Sequence, residues 1–231
     1  MADLTESPRT PTAHSLVSQM EEDIVFGRLH PRERLVEDEL MARWGAKRHV
    51  VREALATLEY IGLVERRRNV GACVRSFNTR EVMELYGLRS LLEVEAVRQI
   101  RFPVEETALA EVEAIQHTHD AAVASGDALQ VFRINLAFHR ALFSLSGNET
   151  LVRAIEEYAR QTYAIRFRGL MSHAHRTQAQ AEHWQMIEAL RTGNGARLQE
   201  LCAVHLLPSR DAYLQVEQAK DAAFDGAARA A

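Results

Sequence analysis

Short amphipathic helices and turns alternate over the first third of the chain. Apolar residues recur at helical spacing in three segments there, and Gly45-Ala46 forms a tight turn between the second and the third. Apolar runs on both sides of the polar stretch 66–69 predict the two strands of a hairpin. The predicted elements are helices over residues 13–26, 37–44 and 47–61 and strands over residues 63–65 and 71–74.

Helical periodicity continues through nearly all of the chain after residue 77. Asn78 and Glu81 have the spacing of a capping box, which predicts the start of a long helix. Glycine, proline and asparagine interrupt the pattern briefly, and links this short favour antiparallel helices packed in a bundle. The predicted helices lie near residues 79–101, 104–124, 127–146, 149–170, 177–191 and 195–216.

These patterns predict a mainly α protein with two folded domains. An N-terminal winged helix-turn-helix is expected over residues 13–76, and an all-α antiparallel bundle of six to seven helices over residues 77–218. Residues 1–12 are expected to form a flexible lead, and residues 219–231 a flexible tail.

Composition places the chain among globular proteins. Of its 231 residues, 47% are apolar and 26% are charged, which excludes a disordered chain. No apolar run is long enough to span a membrane and no secretory signal is visible, so we expect a cytoplasmic protein without a membrane partner. Cys73 and Cys202 are then expected to be free thiols.

Charge is distributed unevenly along the chain. The net charge is −4, yet residues 43–75 contain eight basic and three acidic residues, a local net charge of +5. A basic face of this kind is the electrostatic footprint of a nucleic-acid-binding domain. A helix, a turn and a second helix also form the geometry that places the second helix in the major groove of DNA.

The basic residues of the third helix fall in its first turns. Arg48 and Arg52 lie side by side next to the buried stripe, and His49 lies further round on the open face. An arginine can hold guanine O6 and N7 together, which suits these positions for base recognition. Three more arginines at residues 66–68 are predicted at the hairpin tip, where a wing reaches DNA. The alternative is that all of these arginines form an ordinary solvated face.

Four stretches within residues 24–74 carry a resemblance to a known family. They are Ile24-x-x-Gly27-x-Leu29-x-Pro31, Leu35-x-Glu37-x-x-Leu40-x-x-x-Trp44-Gly45, Arg48-x-x-Val51-Arg52-Glu53-Ala54-Leu55-x-x-Leu58-Glu59-x-x-Gly62-Leu63-Val64 and Gly71-x-x-Val74. In this register they resemble the winged helix of GntR-family transcription regulators. The resemblance implies a homodimer that binds a palindromic double-stranded DNA operator.

The resemblance also implies a set of DNA contacts. Lys47 would contact a phosphate, and the side chains that follow it on the helix would contact bases or phosphates. The wing would contact the minor groove or the DNA backbone. The candidate DNA-binding residues are Lys47, Arg48, His49, Arg52, Arg66, Arg67, Arg68 and Gly71.

Four positions depart from the family pattern. Lys47 replaces a serine or threonine and Val50 replaces a proline, while Arg32 stands where the family usually has glycine. Asp38 stands where some relatives carry a basic DNA contact. These departures bear on which operator sequence is recognised.

Polar side chains point into the predicted core of the bundle. Asn135 and His139 lie one turn apart on an otherwise apolar helix face, and His183 and His205 share apolar faces of two later helices. Each such group, if unpaired, would cost about 1–3 kcal/mol. A shared pocket or a metal would offset that cost, since imidazole binds zinc, nickel and iron. The alternative is a set of ordinary core histidines bonded to the backbone or to each other.

The bundle also resembles a known domain. The motifs are Arg89-x-x-x-Glu93, Asn135-x-x-Phe138-His139, Gly147-Asn148, Glu182-His183, Ala189-Leu190 with a Gly-Asn-Gly turn, and His205. They resemble the FCD ligand-binding domain of the FadR subgroup. In metal-binding members an aspartate opens the motif that Asn135 opens here, and three histidines matching His139, His183 and His205 complete the ligand set.

The resemblance implies a divalent metal and an acidic effector. Zinc is the metal expected first, and nickel, manganese and iron are the alternatives. Such domains bind organic or sugar acids, so a carboxylate-bearing effector is expected, with Arg89, Glu93 and Arg166 as candidate contacts. Arg166 lies only at the flank of its helix's inward face. Four further histidines are predicted to lie on the surface, namely His117, His119, His173 and His175.

The favoured interpretation is a ligand-responsive DNA-binding repressor, not an enzyme. One alternative is a metal-dependent hydrolase or lyase that uses the three-histidine centre, with Glu93 as the general base. Another is a regulator that binds no metal, in which the histidines and Arg89 contact the effector directly. The sequence leaves these alternatives open.

Overall fold

The computed structural model describes residues 11–216 and divides the chain into two compact units, residues 1–76 and 77–231. The predicted tail over residues 219–231 lies outside the described residues, as do residues 1–10 of the predicted lead. Thr12 caps the first helix, because its hydroxyl accepts a hydrogen bond from the backbone N–H of Ser15.

The first unit is a helix-turn-helix followed by a two-stranded wing. Its core is formed by Leu16, Met20, Val51 and Leu58, which are fully buried. Gly45 ends the second helix at a φ of +61°, a left-handed conformation that a glycine adopts without strain. The elements are α1 (Ala13–Val25), α2 (Glu37–Trp44), α3 (Arg48–Tyr60), β1 (Val64–Arg67) and β2 (Gly71–Val74).

The wing differs from the prediction at its tip. β1 and β2 pair antiparallel, with Val64 opposite Val74 and Arg67 opposite Gly71. Arg66 and Arg67 therefore belong to β1, and the turn consists of residues 68–70. The expectation that all three arginines lie at the tip was wrong for two of them, because the strand pairing extends further than the apolar run.

The second unit is a bundle of helices. Its core contains Phe138, Leu142, Met186, Ile187 and Leu198, all without exposed surface. The helices are α4 (Thr79–Arg98), α5 (Glu106–Ser125), α6 (Ala128–Ser144), α7 (Glu149–Gln161), α8 (Tyr163–Leu170), α9 (His173–Arg191) and α10 (Gly195–His205). Among the described residues, no helix is both long and apolar enough to cross a membrane.

Two predicted helices are interrupted. The helix expected over residues 149–170 breaks at Thr162, whose hydroxyl donates to the carbonyl of Ala159 and accepts from Arg89 Nη1 at 3.0 Å. The helix expected over residues 195–216 ends as α10 at His205, and residues 207–216 form a separate helical segment. Pro208 explains the second break, since it has no N–H to continue the ladder.

Candidate nucleic-acid interface and metal centre

The candidate DNA-binding residues of α3 are all solvent-exposed. Lys47 is the N-cap residue, and Arg48, His49 and Arg52 follow in the first two turns of the helix. The opposite face of α3 is buried against α1 and α2. The predicted division of α3 into a buried stripe and a basic open face is therefore present in the structure.

Two carboxylates of α2 hold the arginines of α3. Arg48 Nη2 lies 2.5 Å from Asp38 Oδ1, and Arg52 Nε donates to both carboxylate oxygens of Glu37 at 3.0 Å. These ion pairs are solvent-exposed, so each is individually weak. In the DNA-free protein the two guanidinium groups therefore lie next to carboxylates of α2.

The arginines of the wing are also mostly paired. Arg66 Nε lies 2.9 Å from Glu59 Oε2 at the end of α3, and Arg67 Nη2 lies 2.6 Å from Glu65 Oε1. Arg68 is exposed in the turn and has no partner among the described residues. It is thus the arginine of the wing that is free to meet a phosphate without first leaving a carboxylate.

Three histidines from three helices converge inside the bundle. They are His139 of α6, His183 of α9 and His205 at the end of α10, and one ring nitrogen of each lies within 4.8 Å of the other two. The Nε2 atoms of His139 and His205 are 3.1 Å apart. A tetrahedral zinc ion at about 2.0–2.1 Å from each nitrogen separates its ligands by about 3.4 Å. The donor set and its spacing therefore fit a metal.

Unpartnered nitrogens support the same conclusion. His183 Nε2 and His139 Nδ1 are buried without a hydrogen-bond partner among the described residues. Burial holds the pKa of both rings well below the usual histidine value, and the neighbouring His205 acts in the same direction. Both imidazoles are therefore neutral at pH 7 and keep the lone pair that a metal requires.

Asn135 lines a cavity together with one of the three histidines. Its side chain is buried, one turn before His139 on α6, and it lines a small cavity of about 50 Å³ together with Arg166 and His205. Among the histidine, cysteine, aspartate and glutamate side chains of the described residues, those that converge here are the three histidines.

The two buried arginines of the candidate ligand site, Arg89 and Arg166, have different surroundings. Arg89 donates through Nε and Nη2 to Glu93 Oε1 at 3.1 and 2.8 Å, and through Nη1 to Thr162. Arg166 is 8% exposed and has neither a hydrogen bond nor an ion pair among the described residues. Burial, followed by the charge of Arg89, lowers the pKa of Arg166 to about 10. Arg166, which the sequence ranked second, is therefore the guanidinium that still lacks an anion.

A larger cavity of about 360 Å³ adjoins these groups. Its lining includes Arg89, Glu93, His139, Tyr163 and Arg166. It offers room for a small acid next to both the free guanidinium and the histidine cluster. Glu93 is bound to an arginine here, which does not support its role as a general base for hydrolysis.

Several functional groups were missed or misplaced by sequence reasoning. His119 is fully buried, so its predicted surface position was wrong, whereas His117 and His173 are exposed. Residues two apart on a helix point in different directions, so one member of a pair can face the core while the other is exposed. Gln116 contacts His183, and the signal that could have identified it is its one-turn spacing from His119 on the same face of α5.

Known proteins resemble both units. Residues 12–74 match the model of the bacterial regulatory proteins of the gntR family, and residues 84–207 match the FCD domain. The regulator YdhC of Bacillus subtilis is 29% identical over 68% of this chain and 70% of its own length. The transcriptional repressor RspR of Escherichia coli is 22% identical over 92% of this chain and 93% of its own.

A solved structure shows the same fold. McbR/YncC of Escherichia coli superposes with a TM-score of 0.74 at 20% identity, covering 89% of this chain and 98% of that one. The matched family and the named relatives are transcriptional regulators rather than enzymes. With a basic helix-turn-helix and an FCD domain that spans more than half of its length, the chain belongs to the GntR family of bacterial transcription regulators.

Proposed function

We propose that this regulator is a cytoplasmic repressor of the FadR subgroup whose operator affinity is controlled by a small organic or sugar acid. The observation that carries the proposal is Arg166, a buried guanidinium without a partner among the described residues, next to three converging histidines. A buried charge is costly unless it is paired, so the site is electrostatically incomplete without an anion. Repression is the proposed direction because the relative RspR is named a repressor.

The DNA half of the proposal assigns base contacts to α3 and backbone contacts to the wing. Arg48 and Arg52 leave their carboxylate partners to meet base edges or phosphates, and His49 lies beside them on the exposed face. Lys47, at the positive end of the helix, is placed for a phosphate. The wing from Arg66 to Gly71 follows the minor groove or the backbone.

The ligand half places a divalent metal on His139, His183 and His205, with Asn135 as a further neutral donor. Zinc is proposed first, and nickel, manganese and iron accept the same nitrogen donors. When bound, the ion supplies a positive centre for an effector carboxylate. Arg166 would hold that carboxylate from the other side, while Arg89 and Glu93 form a fixed wall of the cavity.

A homodimer on a palindromic operator completes the proposal. The exposed face of α4 carries an apolar stripe in which Met83 is 46% exposed and Leu91 is 71% exposed, with the exposed Gly87 between them. Exposed apolar stripes on a long helix are typical of interfaces between protein chains. We propose a second copy of this chain as the occupant, and sedimentation of wild type against Leu91→Glu tests it.

The decisive experiment measures binding to the DNA upstream of the protein's own gene. Fluorescence anisotropy at two salt concentrations compares wild type, Arg52→Ala and the control Arg80→Ala, which removes an exposed, carboxylate-paired arginine of α4. We expect salt-dependent wild-type binding, roughly 5- to 150-fold weaker binding by Arg52→Ala and no change in the control. Loss in both variants, or none in Arg52→Ala, would contradict the assignment of α3.

The same assay then identifies the effector class. Small organic and sugar acids are added to the preformed complex, with and without a chelator. If an acid releases the DNA only when metal is present, the result supports the proposed metal centre. If the DNA is still released in the presence of chelator, the result supports direct contact of the acid with the histidines and arginines. If no specific fragment is recovered from a genome-wide selection of bound DNA, the regulator proposal fails.

A further inference from the structure

A hydrogen-bond chain runs from the half-buried Asp120 of α5 to the buried histidine cluster. Asp120 Oδ1 accepts from Gln116 Nε2 at 2.7 Å, and Gln116 Oε1 lies 2.8 Å from His183 Nδ1. Gln116 and His183 have no exposed surface. The chain ends at His183 Nε2, which is buried without a partner among the described residues.

Asp120 determines the direction of this chain. A carboxylate only accepts hydrogen bonds, and Asp120 accepts three, from Gln116, from Gln180 Nε2 at 2.9 Å and from Trp184 Nε1 at 3.1 Å. The amide of Gln116 must therefore turn its NH₂ group toward Asp120. Its carbonyl oxygen is left facing His183, and this fixes an amide orientation that the position of the heavy atoms alone leaves ambiguous.

The amide orientation in turn selects a tautomer. Since Gln116 Oε1 is an acceptor, His183 Nδ1 must carry the proton and donate it. The lone pair of the neutral ring is then on Nε2, the nitrogen without a partner. The neighbouring ring of His119, 5.0 Å away between centroids, makes no hydrogen bond and does not compete for Nδ1.

We propose that Asp120 and Gln116 are positioning residues that prepare His183 to bind the metal through Nε2. This inference rests on the proposed metal centre. Groups that accept from the second nitrogen of a metal-binding histidine commonly fix its tautomer and raise its basicity. Here the acceptor is an amide whose direction is set by a carboxylate one helical turn away.

The three histidines differ in the group that accepts a hydrogen bond from Nδ1. His205 Nδ1 lies 2.5 Å from Glu182 Oε2, so a carboxylate in direct contact favours the tautomer of His205 with the proton on Nδ1. His139 Nδ1 has no partner among the described residues. The relay through Gln116 is thus specific to the ligand from α9.

Packing and proton placement are separable at His183. Phe138 stacks on the imidazole with ring centroids 3.9 Å apart and an interplanar angle of 14°, and this contact holds the plane of the ring. Gln116 only decides which nitrogen carries the proton. Removing its amide should therefore change the tautomer while the ring stays in place.

The test uses the full chain and four variants. Gln116→Met removes the amide at similar volume, and Gln116→Glu retains an acceptor for His183 while sharing a proton with Asp120. Asp120→Asn removes the carboxylate that directs the relay. Glu113→Gln is the matched control, because Glu113 also links α5 to α9, through Arg191 Nη2 at 2.7 Å.

Two readouts are measured. Nitrogen-15 chemical shifts of labelled histidines in the metal-free protein report the tautomer of His183, and competition with a zinc-binding dye reports zinc affinity. We expect wild type to have the Nδ1–H form, and Gln116→Met to lose that preference and bind zinc roughly 10- to 100-fold more weakly. We expect Asp120→Asn to fall between them, and Gln116→Glu and Glu113→Gln to stay near wild type.

Separate outcomes would overturn separate claims. An Nε2–H form of His183 in wild type, or wild-type zinc affinity in Gln116→Met, would refute the relay. An equal loss in Glu113→Gln would show that any weakened link between α5 and α9 has this effect, which also refutes it. If wild type binds no zinc, the proposed metal centre fails, and the tautomer measurement alone still decides whether Gln116 directs His183.

Discussion

Replacing Glu93 tests whether the buried ion pair beside the cavity is a coupled unit. Arg89 and Glu93 are 2% and 3% exposed, and removing one partner of a buried pair costs about 3–5 kcal/mol of unfolding free energy. Glu93→Leu leaves two buried guanidinium groups, Arg89 and Arg166, without a countercharge, so we expect the upper end of that range. Arg89→Met leaves the Glu93 carboxylate, which still interacts electrostatically with Arg166, so we expect a loss of unfolding free energy at the lower end of that range.

The double variant provides the decisive comparison. Replacing a whole buried pair by apolar residues of similar volume is often nearly neutral, because both desolvation penalties disappear together. We therefore expect Arg89→Met/Glu93→Leu to be more stable than Glu93→Leu alone. Two costs remain, the loss of the Thr162 contact and the loss of the Glu93 charge near Arg166, and the second is offset in part because the repelling charge of Arg89 is also removed.

Urea denaturation followed by circular dichroism, on metal-free protein, measures all three variants. Arg80 and Glu84 provide the control, since they form a pair with the same spacing on the same helix α4 but are exposed. Their removal should leave the unfolding midpoint unchanged. Additive losses in the double variant would refute the reasoning, because they would show that the buried charges do not depend on each other.

Three further perturbations test other parts of the structure. Asp38→Asn removes the partner of Arg48 and a negative charge from the proposed DNA face, so anisotropy should show several-fold tighter DNA binding; unchanged or weaker binding would contradict this. Phe138→Ala removes a fully buried ring and should cost about 3–5 kcal/mol in urea denaturation; a loss below about 1 kcal/mol would mean that the site collapses around the change. Zinc at a hundredfold excess over its Kd should stabilise chelator-treated protein by about 2.7 kcal/mol, measured as a rise in melting temperature that His205→Ala abolishes; an equal rise in that variant would place the ion elsewhere.

The regular elements could be predicted because local patterns determine them. The apolar spacing of residues 13–61 identifies α1 to α3. The capping box at Asn78 correctly predicts the first residue of α4. Turn glycines such as Gly45 and Gly126 end their helices in the left-handed conformation, as expected from their positions. In each of these cases the cause lies within a few residues of its effect.

The errors occur where distant residues decide the outcome. The break at Thr162 coincides with a hydrogen bond from Arg89, which is 73 residues away in the sequence, and helical periodicity carries no signal of it. The same limit applies to the choice between Arg89 and Arg166 as the effector contact. Both arginines occupy helical positions near an inward face, and only the tertiary contacts show which one already has its carboxylate.

The charges of the bundle core bear on how the proposed effector would be recognised. The larger cavity is lined in part by His139, and the buried charged groups among its described lining residues are two guanidinium groups and one carboxylate. One positive charge therefore has no internal partner. The proposed acidic effector would supply the missing negative charge to Arg166, on α8, next to the ion pair that Arg89, on α4, forms with Glu93. Since four residues separate the end of β2 from the start of α4, a ligand that alters α4 acts on an element joined to the wing by a very short link. We therefore expect effectors to be selected by charge first and shape second, and neutral analogues of an active acid to leave DNA binding unchanged.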